Sequence, residues 1–114
     1  MDSILTSVKK SLGIIEECEE FDDELILFTN SVFSTLCQIG VGPEEGFSIQ
    51  DDTTNWSDYI HEDKRLEFVK TYVCLNVKML FDPPTASTAV EAINRTIKEL
   101  EWRINVTVDN TTVE

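Results

Sequence analysis

The residues from about 85 to 105 carry the pattern that most constrains the fold of this chain. Their apolar side chains recur at alternating steps of four and three, at Ala86, Val90, Ile93, Ile97, Leu100 and Ile104. Residues with this spacing share one face of an α-helix. Thr88 and Glu91 have the spacing of a capping box at the start of such a helix. Because a helix with one continuous apolar face must bury it against other elements, the pattern predicts a helical bundle.

Three earlier segments show the same helical periodicity and complete the predicted bundle. They are a short helix over residues 2–13, a second helix over 23–39 and a third over 59–81, whose broad apolar stripe indicates a central position. Asp82-Pro83-Pro84 ends the third helix, since proline disfavours helical geometry in the preceding residue, and is expected to set the angle to the fourth. The fold is therefore predicted to be all-α, a small bundle of about four helices.

Two further segments lack helical periodicity. Residues 40–58 contain three of the four glycines and form a predicted long loop. The apolar side chains in this loop indicate either that it folds over the helices or that it meets a neighbouring subunit. Residues 106–114 alternate β-branched and polar residues in part, which predicts an extended, flexible C-terminal tail after a single domain over 1–105.

The charge balance restricts the possible partners. Nine lysines and arginines stand against 22 aspartates and glutamates, which gives a net charge of −13. This excludes a general nucleic-acid binder and an anionic membrane surface as partner, because both need clustered basic residues. Seven of the nine residues in 16–24 are acidic, and this segment is predicted to be a largely solvated connector. The candidate acidic surface comprises Glu16, Glu17, Glu19, Glu20, Asp22 and Asp23.

Residue types that carry catalysis are scarce. The single histidine, His61, is flanked by acidic residues and is predicted to be solvated. Cys18, Cys37 and Cys74 are odd in number and form no CxxC pair, so we expect reduced thiols, with Cys37 and Cys74 as small core residues. No glycine-rich phosphate loop, calcium loop or zinc ligand set is present in the sequence. We therefore predict no catalytic site, no cofactor and no metal.

The third and fourth segments carry motifs whose order and spacing are fairly specific. A helix ends in Phe81-Asp82-Pro83-Pro84, and the next helix ends in Glu99-Leu100-Glu101-Trp102-Arg103. With the short first helix, the acidic start of the second segment and Trp56-Ser57-Asp58, these motifs resemble the head–tail connector proteins of tailed bacteriophages. That family is also called adaptor or head-completion proteins. The resemblance covers nearly the whole chain and is strongest over residues 72–105.

The resemblance implies a structural virion protein at the head–tail interface, assembled in the host cytoplasm. Family members form a ring of about a dozen subunits under the portal, extend the DNA channel and join the head to a stopper or tail-completion protein. They commonly bind the portal through an extended terminal segment. In this chain the corresponding candidates are Asn105, Val106, Thr107, Val108 and Asp109.

Five residues are candidates for contact with a neighbouring subunit or the next ring: Phe47, Ile49, Trp56, Trp102 and Arg103. Tryptophan and arginine are enriched at interface centres, but the preferred interpretation places Trp102 at the edge of the core, against the second or third helix. Since subunits of charge −13 repel one another, we expect a monomer alone and a ring only on the portal. An acidic channel lets DNA pass without specific binding.

An acidic inhibitor that mimics the charge of DNA and binds a basic host or phage protein is the alternative interpretation. A DNA mimic is expected to space its carboxylates along an extended helical face. Here seven carboxylates fall within nine residues, which favours the connector interpretation.

Overall fold

A computed structural model describes residues 3–43, 45–59 and 66–112, with side chains up to Asn105. This part of the chain forms five helices: α1 (Ile4–Ser11), α2 (Asp22–Gln38), α3 (Trp56–Tyr59), α4 (Leu66–Phe81) and α5 (Ser87–Thr112). The predicted small all-α bundle is confirmed. None of the helices in the described ranges is long and apolar enough to cross a membrane. The prediction of a solvated His61 concerns a residue outside these ranges.

A side-chain cap stabilises the start of α1, whereas acidic residues without a capping hydrogen bond stabilise the start of α2. The Ser3 hydroxyl accepts a hydrogen bond from the Thr6 N–H at 3.3 Å and thereby caps α1. Three acidic residues, Asp22, Asp23 and Glu24, occupy the first turn of α2, where negative charge is favourable beside the unpaired N–H groups. The acidic connector thus stabilises the start of the helix that follows it.

Helix α4 lies at the centre of the bundle, as its broad apolar stripe predicts. It packs against α1, α2 and α5, and its buried residues are Val69, Tyr72, Val73 and Val77. Helix α5 contributes the inward side chains of Ile97, Leu100 and Ile104 to the same core. The predicted apolar stripe of α5 therefore faces α4.

The segment between α2 and α3 is an ordered loop that folds over the helices. Val41 and Ile49 are buried, Phe47 packs against the core, and the Ile4 N–H donates to the Thr54 carbonyl at 3.0 Å. Gly42 has a φ of 86°, and a Cβ built there would lie 2.5 Å from the Tyr59 ring. Only glycine fits this position without displacing the ring. Of the two interpretations of the loop, folding over the helices is confirmed, but the loop ends before its predicted boundary at 58, because Trp56–Tyr59 form α3.

The C-terminal segment differs from its prediction. Residues 106–112 continue α5 as helix, so the prediction of an extended backbone there is wrong. A helix that is already formed gains one hydrogen bond for each added residue, and β-branched residues reduce this gain by only a few tenths of a kcal/mol. No glycine or proline interrupts the segment. The predicted flexibility of the tail and the domain boundary at 105 stay predictions.

The cysteines are less deeply placed than predicted. Cys18, Cys37 and Cys74 are all half-buried free thiols. Cys74 packs against the core, and burial raises the pKa of its thiol. Cys74 therefore packs against the core, as predicted. Both Cys37 and Cys74 are less buried than predicted.

Candidate protein-binding surface

An aromatic cluster holds the loop side chains that were candidates for subunit contact. The Phe33 ring on α2 lies 4.6 Å from Tyr59, 5.1 Å from Phe47 and 6.4 Å from Trp56, measured between ring centroids. The Trp56 indole is only 2% exposed, and its Nε1 donates to the Ser7 hydroxyl at 3.0 Å. Phe47 and Trp56 therefore face the core of their own chain.

The side chain of Asn30 fastens the middle of the loop to α2. Its Nδ2 donates to the Ile49 carbonyl at 3.0 Å, and the Ile49 N–H donates to its Oδ1 at 2.7 Å. The amide thus pairs with the Ile49 backbone as a neighbouring strand would. Ile49, the third loop candidate, is 2% exposed.

The two candidates on α5 lie on the surface instead. Trp102 is 65% exposed, so the interpretation that places it at the edge of the core is wrong. Arg103 Nη2 lies 2.9 Å from Glu99 Oε1, and its guanidinium lies 5.8 Å from the centre of the Phe68 ring. Trp102 offers a large apolar side chain to a partner, whereas Arg103 is engaged within its own chain.

Trp102 belongs to a continuous outward stripe of α5. Glu91, Arg95, Lys98 and Trp102 follow one another at steps of four, three and four, and all four are exposed. We call these four residues the α5 outer face. Neither Arg95 nor Lys98 has an ion-pair partner among the described residues. With Asn94, the three charged residues line a shallow open depression of about 360 Å³.

The opposite side of α5 is fastened to α4. The Tyr72 hydroxyl donates to Glu101 Oε2 at 2.8 Å. Burial of the phenol, together with this bond to a carboxylate, raises the pKa of Tyr72 above its ordinary value. Hydrophobic packing and this hydrogen bond hold the inner side of α5 and leave its outer face free.

The acidic connector is largely solvated, as predicted, and a buried lysine is paired with its last part. Lys9 is 4% exposed, and its Nζ lies 2.7 Å from Asp22 Oδ1 and donates to the Glu16 carbonyl at 3.0 Å. A buried ammonium needs such partners to offset its lost hydration. The other candidates of the acidic surface are exposed: Glu16, Glu17, Glu19, Glu20 and Asp23.

Carboxylates from the connector and the loop meet at an open cleft of about 510 Å³, which we call the acidic cleft. Its acidic lining residues are Glu16, Glu19, Asp22, Asp23, Asp51 and Asp52. Hydrogen bonds from the Thr53 hydroxyl and then from its N–H hold the pKa of Asp51 below its ordinary value. Among the described residues, no cluster of histidines, cysteines or carboxylates has the arrangement of a metal site.

Charge is divided unevenly along the chain. Residues 1–58 hold 13 acidic and two basic residues, a net charge of −11, whereas residues 59–114 hold nine and seven, a net charge of −2. Nearly all of the negative charge therefore belongs to α1, the connector, α2 and the loop. Helix α5 carries three of the nine basic residues of the chain.

The exposed Trp102 is a candidate interface residue, since tryptophan is enriched at contacts between proteins. The chain belongs to the phage connector protein family, whose model matches residues 4–111. The resemblance predicted from the sequence is thus confirmed. The protein is a structural phage protein, and its family implies association with phage portal and tail proteins. No curated protein and no solved structure matches the chain.

Proposed function

We propose that the protein forms a ring under the phage portal, extends the DNA channel and joins the head to a stopper or tail-completion protein. The family match over residues 4–111 carries this proposal. In this role the protein is non-catalytic, belongs to the virion and assembles in the host cytoplasm. The ring is expected to contain about a dozen subunits, which a closed head-to-tail contact between identical chains can generate.

The C-terminal end of α5 is the proposed portal-docking segment. Ile104 is the last described side chain of α5 that is buried, and the helix continues for eight residues to Thr112. At 1.5 Å per residue this adds about 12 Å of helix. The docking residues proposed are Asn105, Val106, Thr107, Val108 and Asp109, presented on a helix rather than on a strand.

The proposed subunit contacts shift from the loop to α5. Phe47, Ile49 and Trp56 pack within their own chain, so their use at an interface would require the loop to open. Trp102 is exposed without any rearrangement. We therefore retain Trp102, with the neighbouring Arg103, as candidates for the contact with the next subunit.

The acidic surface supports the passage of DNA without binding. Phosphates and carboxylates repel each other, and screening at physiological salt reduces this repulsion only beyond about 8 Å. The same repulsion between subunits of charge −13 favours a monomer in free solution. Binding to the portal supplies the template that overcomes it.

The test mixes the purified protein with the portal protein of the same phage. We expect a monomer by sedimentation when the protein is alone, and an added ring of density below the portal by electron microscopy of the mixture. No added density on an intact portal would refute the proposal. Replacing Val106, Thr107, Val108 and Asp109 with alanine preserves helix propensity and should abolish binding, whereas Ser34→Ala on exposed α2 surface should leave it intact.

The acidic cleft favours a second candidate function, an inhibitor that binds a basic host or phage protein in place of DNA. Competition with DNA for such a protein would support it. The carboxylates of the cleft form a compact patch rather than a row along one helix, so the connector function remains the preferred proposal.

A further inference from the structure

We propose that the α5 outer face docks onto the acidic half of a second copy of the chain, with Trp102 inside the contact. This inference rests on the proposed ring, because it assigns the two surfaces that meet between neighbouring subunits. Here the acidic half means the exposed surface of residues 1–58, whose net charge is −11.

The α5 outer face contains two residues, Arg95 and Trp102, of types that are enriched at interface centres. Trp102 is a large side chain left 65% exposed, and tryptophan is enriched among the few interface residues that carry most of the binding energy. Lys98 and Arg95 lie about one and two turns before it, respectively, and make no ion pair with any described residue. Both cations are therefore available to a partner.

Charge complementarity identifies the partner as a second copy. With Glu91, Arg95 and Lys98 the outer face has a net charge of +1, too little to grip nucleic acid, which needs clustered basic residues. Two separate cations beside an indole, as on the α5 outer face, can instead pair with carboxylates held in fixed positions on a protein surface. The acidic connector, residues 16–24, carries such carboxylates, and its Glu19 and Glu20 are exposed.

The placement of the two surfaces on different elements suits a contact between copies. Helix α5 packs chiefly on α4, while the connector joins α1 to α2, so the two surfaces belong to different elements of one chain. A contact between different surfaces of identical subunits is head-to-tail and closes into a ring when the rotation allows. The net repulsion between copies is screened over about 10 Å at 0.1 M salt, whereas the charge pairs at the contact are not.

Two double variants reverse one surface each. The α5-reversed variant carries Arg95→Glu and Lys98→Glu, and the acid-reversed variant carries Glu19→Lys and Glu20→Lys. All four positions are exposed, and circular dichroism should show unchanged folding. When each variant alone is mixed with the portal, the fraction of portals that carry a complete ring should be at least tenfold lower than with the wild type. An equimolar mixture should restore filling, because each reversed surface then meets an unlike charge.

A control separates the specific contact from net charge. Lys70→Glu with Lys78→Glu on α4 changes the net charge by four, from −13 to −17, as the α5-reversed variant does, but leaves both proposed contact surfaces intact. This control should fill the ring as the wild type does. Trp102→Ala should weaken filling in the same direction as the α5-reversed variant.

Three results would overturn the inference. Complete rings from each variant alone would do so and leave portal binding standing. A mixture that loads only the acid-reversed variant, identified by mass spectrometry, would assign the α5 outer face to the portal. If the wild type does not bind an intact portal, the proposed function fails. The contact between copies is then tested by sedimentation of the variant mixture without the portal. Association of the mixture, with neither variant associating alone, would still support the contact, and its absence would overturn it.

Discussion

The loop over residues 41–55 and the outer face of α5 use aromatic side chains in opposite ways. The loop brings Phe47 towards the core, and the adjoining Trp56 at the start of α3 is buried there as well. The α5 outer face holds Trp102 in solvent beside Arg95 and Lys98, which make no ion pair with any described residue. Both regions contain apolar residues that are candidates for partner contact, yet only the second is available to a partner in the folded chain.

The difference follows from how each backbone directs its side chains. A loop can bend until its apolar groups reach the nearest core, and here the Asn30 amide holds it in that position. A helix fixes the direction of every side chain once one face is packed. Because Ile97, Leu100 and Ile104 on one side of α5 pack into the core, the side chain of Trp102 on the other side lies in solvent. An apolar residue off the packed face of a regular helix is therefore the better indicator of an interface.

The same truncation at the two tryptophans tests this comparison most strongly. Trp56→Ala removes a fully packed indole and its hydrogen bond to Ser7, and should lower the free energy of unfolding by about 4 kcal/mol. Trp102→Ala should change it by less than about 0.5 kcal/mol, because the side chain is mostly in solvent. Urea unfolding followed by circular dichroism measures both. Equal losses would show that the two indoles are not in opposite environments.

Removing the side-chain amide of Asn30, which holds the loop against α2, should have the next largest effect on the free energy of unfolding. Asn30→Ala leaves the buried N–H and carbonyl of Ile49 without partners, which should cost about 2 kcal/mol. Hydrogen exchange at the Ile49 amide should accelerate as well. Asn94→Ala, at an exposed asparagine of α5, serves as the control and should change stability little. Unchanged exchange at Ile49 in Asn30→Ala would mean that the loop is held by its apolar side chains alone.

The bond between α4 and α5 should give the smallest of these effects, with a characteristic pH dependence. Tyr72→Phe removes the hydrogen bond to Glu101 and should cost about 1 kcal/mol at pH 7. The folded pKa of Tyr72 is raised above its ordinary value of 10.0, so its stabilising contribution is complete below that value and is lost as pH rises above it. The stability difference between wild type and Tyr72→Phe should therefore shrink at about pH 10.5.

Unfolding at the two pH values measures that difference directly. The half-buried Cys74, whose pKa is also raised, is present in both proteins, so its contribution to the difference cancels. A difference that stays constant with pH would show that the Tyr72 hydroxyl titrates as it does in water.

Local periodicity was enough to predict most of the fold. Apolar spacing located all four long helices, and Asp82-Pro83-Pro84 marked the turn between α4 and α5. Residues 106–112 escaped prediction because their β-branched residues have modest helix propensity, and the preceding helix, rather than their own pattern, determines their conformation.

The candidate surface was only partly predictable. The buried Lys9 depends on Asp22, and the order of the loop depends on Asn30 and Ile49, which lie 19 residues apart in sequence. Such pairings arise from tertiary structure and leave no local pattern. The exposure of Trp102 did leave a signal, since the spacing of Glu91, Arg95, Lys98 and Trp102 marks the side of α5 opposite its apolar stripe.

The two indoles have a practical consequence, since they are the only tryptophans in the chain. The two indoles therefore act as independent fluorescent reporters of two different sites. Emission from Trp56 should shift to the red when the chain unfolds and should resist quenching by acrylamide until then. Emission from Trp102 should be readily quenched in the free protein and should shift to the blue when a partner covers it. One unlabelled sample therefore separates loss of the fold from formation of a contact.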